Sequence, residues 1–105
     1  MRAYEVMFIV KPDLTDEQIQ ETIERFTNLI SEHGGEVEKV DRWGRRRLAY
    51  DIEKFREGFY TVLHFQGSSE VAREMDRVLK INDSILRHLI TRRDEEPAAS
   101  AAEQG

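Results

Sequence analysis

The sequence predicts an α+β domain in which a four-stranded antiparallel sheet carries two helices on one face. Three observations predict it. Four segments alternate apolar and polar residues or are rich in branched and aromatic side chains, as strands are. Two segments repeat apolar residues at helical spacing. They follow one another as strand, helix, strand, strand, helix, strand, and 105 residues suffice for one core but not two.

The first strand is Ala3 to Val10, with Tyr4, Val6, Phe8 and Val10 on one face and Ala3, Glu5, Met7 and Ile9 on the other. Met7 and Ile9 make the second face nearly as apolar as the first, so the strand is central or its far face meets something. Pro12-Asp13 ends it, and Thr15 followed three residues later by Gln18 has the form of a capping box. In the helix that follows, Ile19, Ile23, Phe26 and Ile30 mark the buried stripe, and Glu17, Glu21 and Glu24 put negative charge in the early turns. Gly34-Gly35 stops it. Glu36 to Val40 opens the second strand, which continues towards Leu48, Tyr50 and Ile52. The apolar register breaks on the way, predicting a bulge or bend near Trp43-Gly44. Glu57-Gly58 reads as the hairpin turn, and Phe59 to Gln66 as the third strand. Gly67-Ser68-Ser69 caps a second helix with apolar positions Val71, Ala72, Met75, Val78 and Leu79, ending near Asn82-Asp83. Ile85 to Thr91 is the fourth strand. The order corresponds to a ferredoxin-like βαββαβ plan over residues 1–93, with the second strand at a sheet edge and the face opposite the helices uncovered. Residues 94–105 are acidic, contain Pro97 and small residues, and read as a disordered tail.

The net charge of −5 is unevenly spread. Residues 1–40 hold nine acidic and four basic side chains, residues 41–93 hold twelve basic and eight acidic, and residues 94–105 hold four acidic and none basic. A basic middle is compatible with a local anion-binding face, because salt screens distant charge. There is no cysteine, which excludes thiolate nucleophiles, disulfides and zinc-thiolate sites and fits a reducing, cytoplasmic home. No apolar run is long enough to span a bilayer, and no leader pattern precedes the first strand. His33, His64 and His88 are isolated, and Gly34-Gly35 follows a helix instead of opening one. No catalytic residue, metal site or cofactor is therefore expected.

The stretch Trp43 to Ile52 sets Arg45, Arg46 and Arg47 beside Trp43 and Tyr50. Two readings stand side by side. Charge on an edge strand guards against unwanted strand pairing. Arginines beside aromatics also suit nucleic acid, with guanidiniums on phosphates and rings on unpaired bases. An RRM shares the element order, and Glu57 to His64 keeps Gly58, Phe59 and Val62 of its third-strand signature. Thr61, however, stands where a stacking aromatic belongs, and Glu57 where a basic residue belongs. A small-molecule regulatory domain of the same topology has only the apolar Met7 and Ile9 face in its favour.

Three separated motifs resemble one family. Met1-Arg2-x-Tyr4-Glu5, Trp43-Gly44-Arg45-Arg46-x-Leu48-Ala49-Tyr50 and Asn82-Asp83-x-Ile85-x-Arg87 match, in order, the sixth small-subunit protein of the bacterial ribosome, over residues 1 to about 91. The resemblance implies a ferredoxin-like structural protein of the 30S subunit, cytoplasmic and ribosome-bound. Such a protein supports subunit assembly and translation by binding the central domain of 16S ribosomal RNA together with ribosomal protein S18, and involves no enzyme activity, cofactor, membrane or small-molecule substrate. Carried to this chain, Arg45, Arg46 and Arg47 with Trp43 and Tyr50 resemble the charged edge strand that docks the protein partner. Arg2 and Arg87 match basic family positions for RNA phosphates, with Arg92 and Arg93 as helpers. Asp51 stands where many members have proline, Arg45 and Arg47 vary in type among relatives, and the tail lacks a terminal glutamate run.

Overall fold

The computed structural model describes residues 1–93 as β1 (Arg2–Val10), α1 (Asp16–Glu32), β2 (Glu36–Ile52), β3 (Phe55–Gly67), α2 (Ser69–Ile81) and β4 (Ile85–Arg92). The expected acidic tail, 94–105, lies outside the described residues. All pairings are antiparallel and the strand order is β2-β3-β1-β4, so β1 and β3 are central and β2 and β4 are edges. This is the ferredoxin-like arrangement that the element order predicts.

Local chemistry sets the helix ends. The Thr15 hydroxyl accepts from the Gln18 N–H at 3.1 Å and the Gln18 side chain accepts from the Thr15 N–H at 2.9 Å, completing the capping box. At the other end Gly34 takes a φ of +85°, which lets the chain turn so that the Gly35 N–H reaches the Ile30 carbonyl at 2.8 Å. The buried stripe of α1 is Ile19, Ile23, Phe26 and Ile30, and α2 buries Val71, Met75 and Leu79. Both stripes pack on Tyr4, Val6, Phe8, Val10, Phe59, Leu63 and Phe65 of the sheet. Phe8 meets Phe26 edge-on with centroids 5.2 Å apart, and Tyr4 stacks on Phe65 at 5.3 Å.

The hairpin differs from the sequence expectation. The β2–β3 turn is Glu53-Lys54, not Glu57-Gly58, and β3 begins at Phe55 instead of Phe59. Glu53 and Lys54 have φ of +50° and +74°, the paired left-handed conformations that match strand twist in a two-residue hairpin loop. Neither residue type signals such a turn, which is why the sequence hides it. Gly58 lies inside β3 for another reason. A Cβ there would come within 2.2 Å of Ile9 Cγ2, so the neighbouring strand needs a residue without one. The expected irregularity near Trp43-Gly44 is present, since the β2–β3 register shifts between Arg42 and Gly44 and Gly44 adopts φ +90°.

A second register break leaves residues 48–51 between the pairs Arg47↔Glu57 and Ile52↔Phe55. There the chain folds onto the face opposite the helices. Leu48, Tyr50 and Ile52 line a pocket of about 150 Å³ with Met7, Ile9 and Tyr60. The open face is thus partly covered, and Ile9 and Val62, which point away from the helices, are nevertheless buried. Among the described residues no helix is long and apolar enough to cross a membrane.

Candidate functional site

Strand register decides which arginines meet. The pairs Arg2↔Gly67 and Tyr4↔Arg92 put Arg2, Arg92 and Arg93 at one end of the sheet. The pairs Ile9↔Arg87 and Arg46↔Gly58 put Arg87 and the basic run at the other. At 3.3 Å per residue, Arg87 and Arg92 are about 17 Å apart along β4. The four candidate phosphate contacts therefore form two groups.

At the first end Arg2 is exposed and Arg92 is half-buried. Arg93 donates from Nε to the Tyr4 carbonyl at 3.3 Å and forms an ion pair with Glu38. Glu38 also accepts from Gln66 Nε2 at 3.1 Å, and that bond, followed by the Arg93 guanidinium, lowers its pKa. The positive charge of Arg93 is thus partly compensated within the chain.

At the second end the basic run divides by side-chain direction. Arg45 donates to the Pro12 carbonyl at 2.6 Å and is held by the chain's own β1–α1 loop. Arg42, not singled out by the sequence, lies over the Phe59 ring at 5.0 Å and donates to Gln20 of α1 at 2.9 Å. Arg46 stacks over the Trp43 ring at 5.6 Å, and Trp43 in turn stacks on Tyr60 with centroids 6.2 Å apart and planes 8° from parallel. The Trp43 indole N–H donates to Asp41 at 3.1 Å. Arg47 is exposed opposite Glu57. Tyr60 is the member that sequence reading misses. Its partnership with Trp43 depends on the Gly44 bulge, which advances one strand by a residue.

The Tyr50 side chain reaches from β2 to β4. The Arg87 guanidinium lies 5.1 Å from its ring centroid and donates to its hydroxyl. Tyr50 remains 58% exposed and Trp43 44%, so the two aromatics flank an accessible patch bearing Arg46 and Arg87.

The histidines are occupied by structural partners. His64 Nε2 lies 3.1 Å from Glu5 across β1 and β3, and His88 Nε2 lies 2.7 Å from Asp76 of α2 on the helix side. The His88 contact first, then Lys80, lowers the Asp76 pKa. Among the described residues no group of three or more His, Asp or Glu is arranged to hold a metal. Phe59 and Thr61, the positions an RRM would use for stacking, are buried towards the helices and cannot meet a base.

Comparison with known proteins gives a consistent answer. The family described as Ribosomal protein S6 matches residues 3–92. Small ribosomal subunit protein bS6 of Moorella thermoacetica is 50% identical over 96 residues, covering 91% of this chain and 98% of the relative. That of Thermoanaerobacter pseudethanolicus is 52% identical over 95 residues, covering 90% and 100%. The crystal structure of 30S ribosomal protein S6 from Thermotoga maritima superposes with a TM-score of 0.85 at 33% identity, covering 99% of this chain and 98% of that one. A superposition over nearly the whole of both chains, a family match across both helices and all four strands, and half-identical relatives covered over almost their full length lead to one conclusion: the chain belongs to the ribosomal protein S6 family.

Proposed function

We propose that this chain is a non-catalytic structural component of the bacterial 30S subunit in the cytoplasm. In this reading it binds the central domain of 16S ribosomal RNA jointly with ribosomal protein S18. The observation that carries this is the family membership. The placement of basic groups at both ends of one sheet supports it. Arg2, Arg92 and Arg93 form one phosphate-facing group and Arg87 the other. The β2 edge, with Arg45, Arg46, Arg47, Trp43 and Tyr50, is the surface for the protein partner. In this division Arg45 works through its hold on the Pro12 carbonyl, keeping the edge strand against the β1–α1 loop, and Arg46 and Arg47 meet the partner directly.

The net charge of −5 does not oppose this, because phosphate contacts respond to the field within about 8 Å at physiological salt. Titrating a central-domain 16S RNA fragment across a salt series, with and without S18, tests it. Affinity should fall steeply as salt rises and increase when S18 is added. Binding that is indifferent to both would overturn the reading.

A further inference from the structure

Tyr50 belongs to β2 and Arg87 to β4, the two opposite edges of the sheet, with β3 and β1 between them. Side chains of opposite edges meet here only because residues 48–51 drop out of the β2–β3 ladder and fold across the open face. Leu48, 7% exposed, anchors that crossing on the sheet. Tyr50 is left 58% exposed, with its ring against one guanidinium.

The manner in which Arg87 is held separates it from Arg93, Arg77 and Arg45. Arg93 is tied to the carboxylate of Glu38, Arg77 to that of Glu74, and Arg45 to a backbone carbonyl. Among the described residues Arg87 meets no carboxylate; its partner is a neutral phenol, which accepts one hydrogen bond and offers its ring. A guanidinium has five N–H donors in a fixed plane, so this leaves four donors and the whole charge unspent. A long, otherwise free side chain is held in place without being neutralised. Such preorganisation favours an incoming anion, because less rotamer freedom is lost when it binds.

We propose that Tyr50 is the positioning residue for Arg87, holding its guanidinium over the open sheet face in the orientation that receives an RNA phosphate. The inference rests on the Arg87–RNA contact proposed above. Tyr50, on the strand proposed above to face the protein partner, then also serves the RNA contact.

The test uses the full chain with S18 and a central-domain 16S RNA fragment, measuring affinity across a salt series for the single variants and their combinations. Arg87→Ala should weaken binding and reduce the slope of log affinity against log salt by about one. Tyr50→Leu, which keeps apolar volume over Met7 and Ile9, should weaken binding about three- to tenfold with the slope unchanged. Tyr50→Phe, which restores the ring without the hydroxyl, should recover part of that loss. In the Arg87→Ala background neither Tyr50 variant should cost anything further. A Tyr50→Leu loss that persists undiminished in that background, or no loss beside a clear Arg87→Ala effect, overturns the inference while leaving the Arg87 contact standing. An Arg87→Ala variant with unchanged affinity and slope overturns both.

Discussion

Thr61 has no exposed surface, and among the described residues its hydroxyl has no hydrogen-bond partner, although it lies in the middle of the central strand β3. A buried, unsatisfied hydroxyl costs stability that a methyl group would not. Thr61→Val should therefore stabilise the fold by about 1 kcal/mol, read as a higher urea midpoint at unchanged slope. The arginines show the same dependence on surroundings. Arg42 stacks on Phe59, Arg46 on Trp43 and Arg87 on Tyr50, while Arg93 pairs with Glu38. A planar guanidinium can stack with its face and donate with its rim, so one residue type meets several requirements.

The β2–β3 hairpin holds the local strain of the fold at the level of elements. Glu53 and Lys54 both occupy left-handed backbone, where side chains other than those of Gly, Asn and Asp are disfavoured. Lys11 pairs with Glu53 at 3.6 Å in a largely solvated setting, and such a pair contributes little. Replacing the dipeptide by Asn-Gly (Glu53→Asn with Lys54→Gly) should raise stability by about 1 to 2 kcal/mol, measured as a higher thermal midpoint. A lower midpoint would mean that the Lys11 contact matters more than the turn. The Gly44 bulge serves a different purpose, since by shifting register it brings Trp43 onto Tyr60.

For the molecule as a whole, the helices cover one sheet face, the β2 crossing covers part of the other, and both edges carry arginine. An open edge is a template for pairing with another chain, and charge is a common guard. Under the proposed function the exposed Arg46 and Arg47 serve the partner as well. Arg46→Ala combined with Arg47→Ala should weaken S18 docking, measured by calorimetry. Because exposed charges contribute little to folding, the unfolding midpoint of the monomer should hardly move. Intact docking accompanied by self-association in sedimentation would instead leave these arginines as edge guards alone.

By itself the sequence determined what depends on local periodicity and capping. The buried stripes of α1 and α2, the capping box at Thr15 and Gln18, the central character of β1 and the break near Gly44 are all legible, because each arises from neighbours within a few residues. The family was legible for a similar reason, through three short motifs in order. Only the tertiary structure decided where the hairpin turns, because Glu53-Lys54 lacks turn chemistry and Gly58 imitates it while answering to Ile9 on the next strand. It likewise separated Arg87 from Arg2, joined Tyr50 to Arg87 and set Tyr60 beneath Trp43. Those contacts follow from strand register and from a chain crossing over the sheet, and a single shifted residue changes which side chains meet.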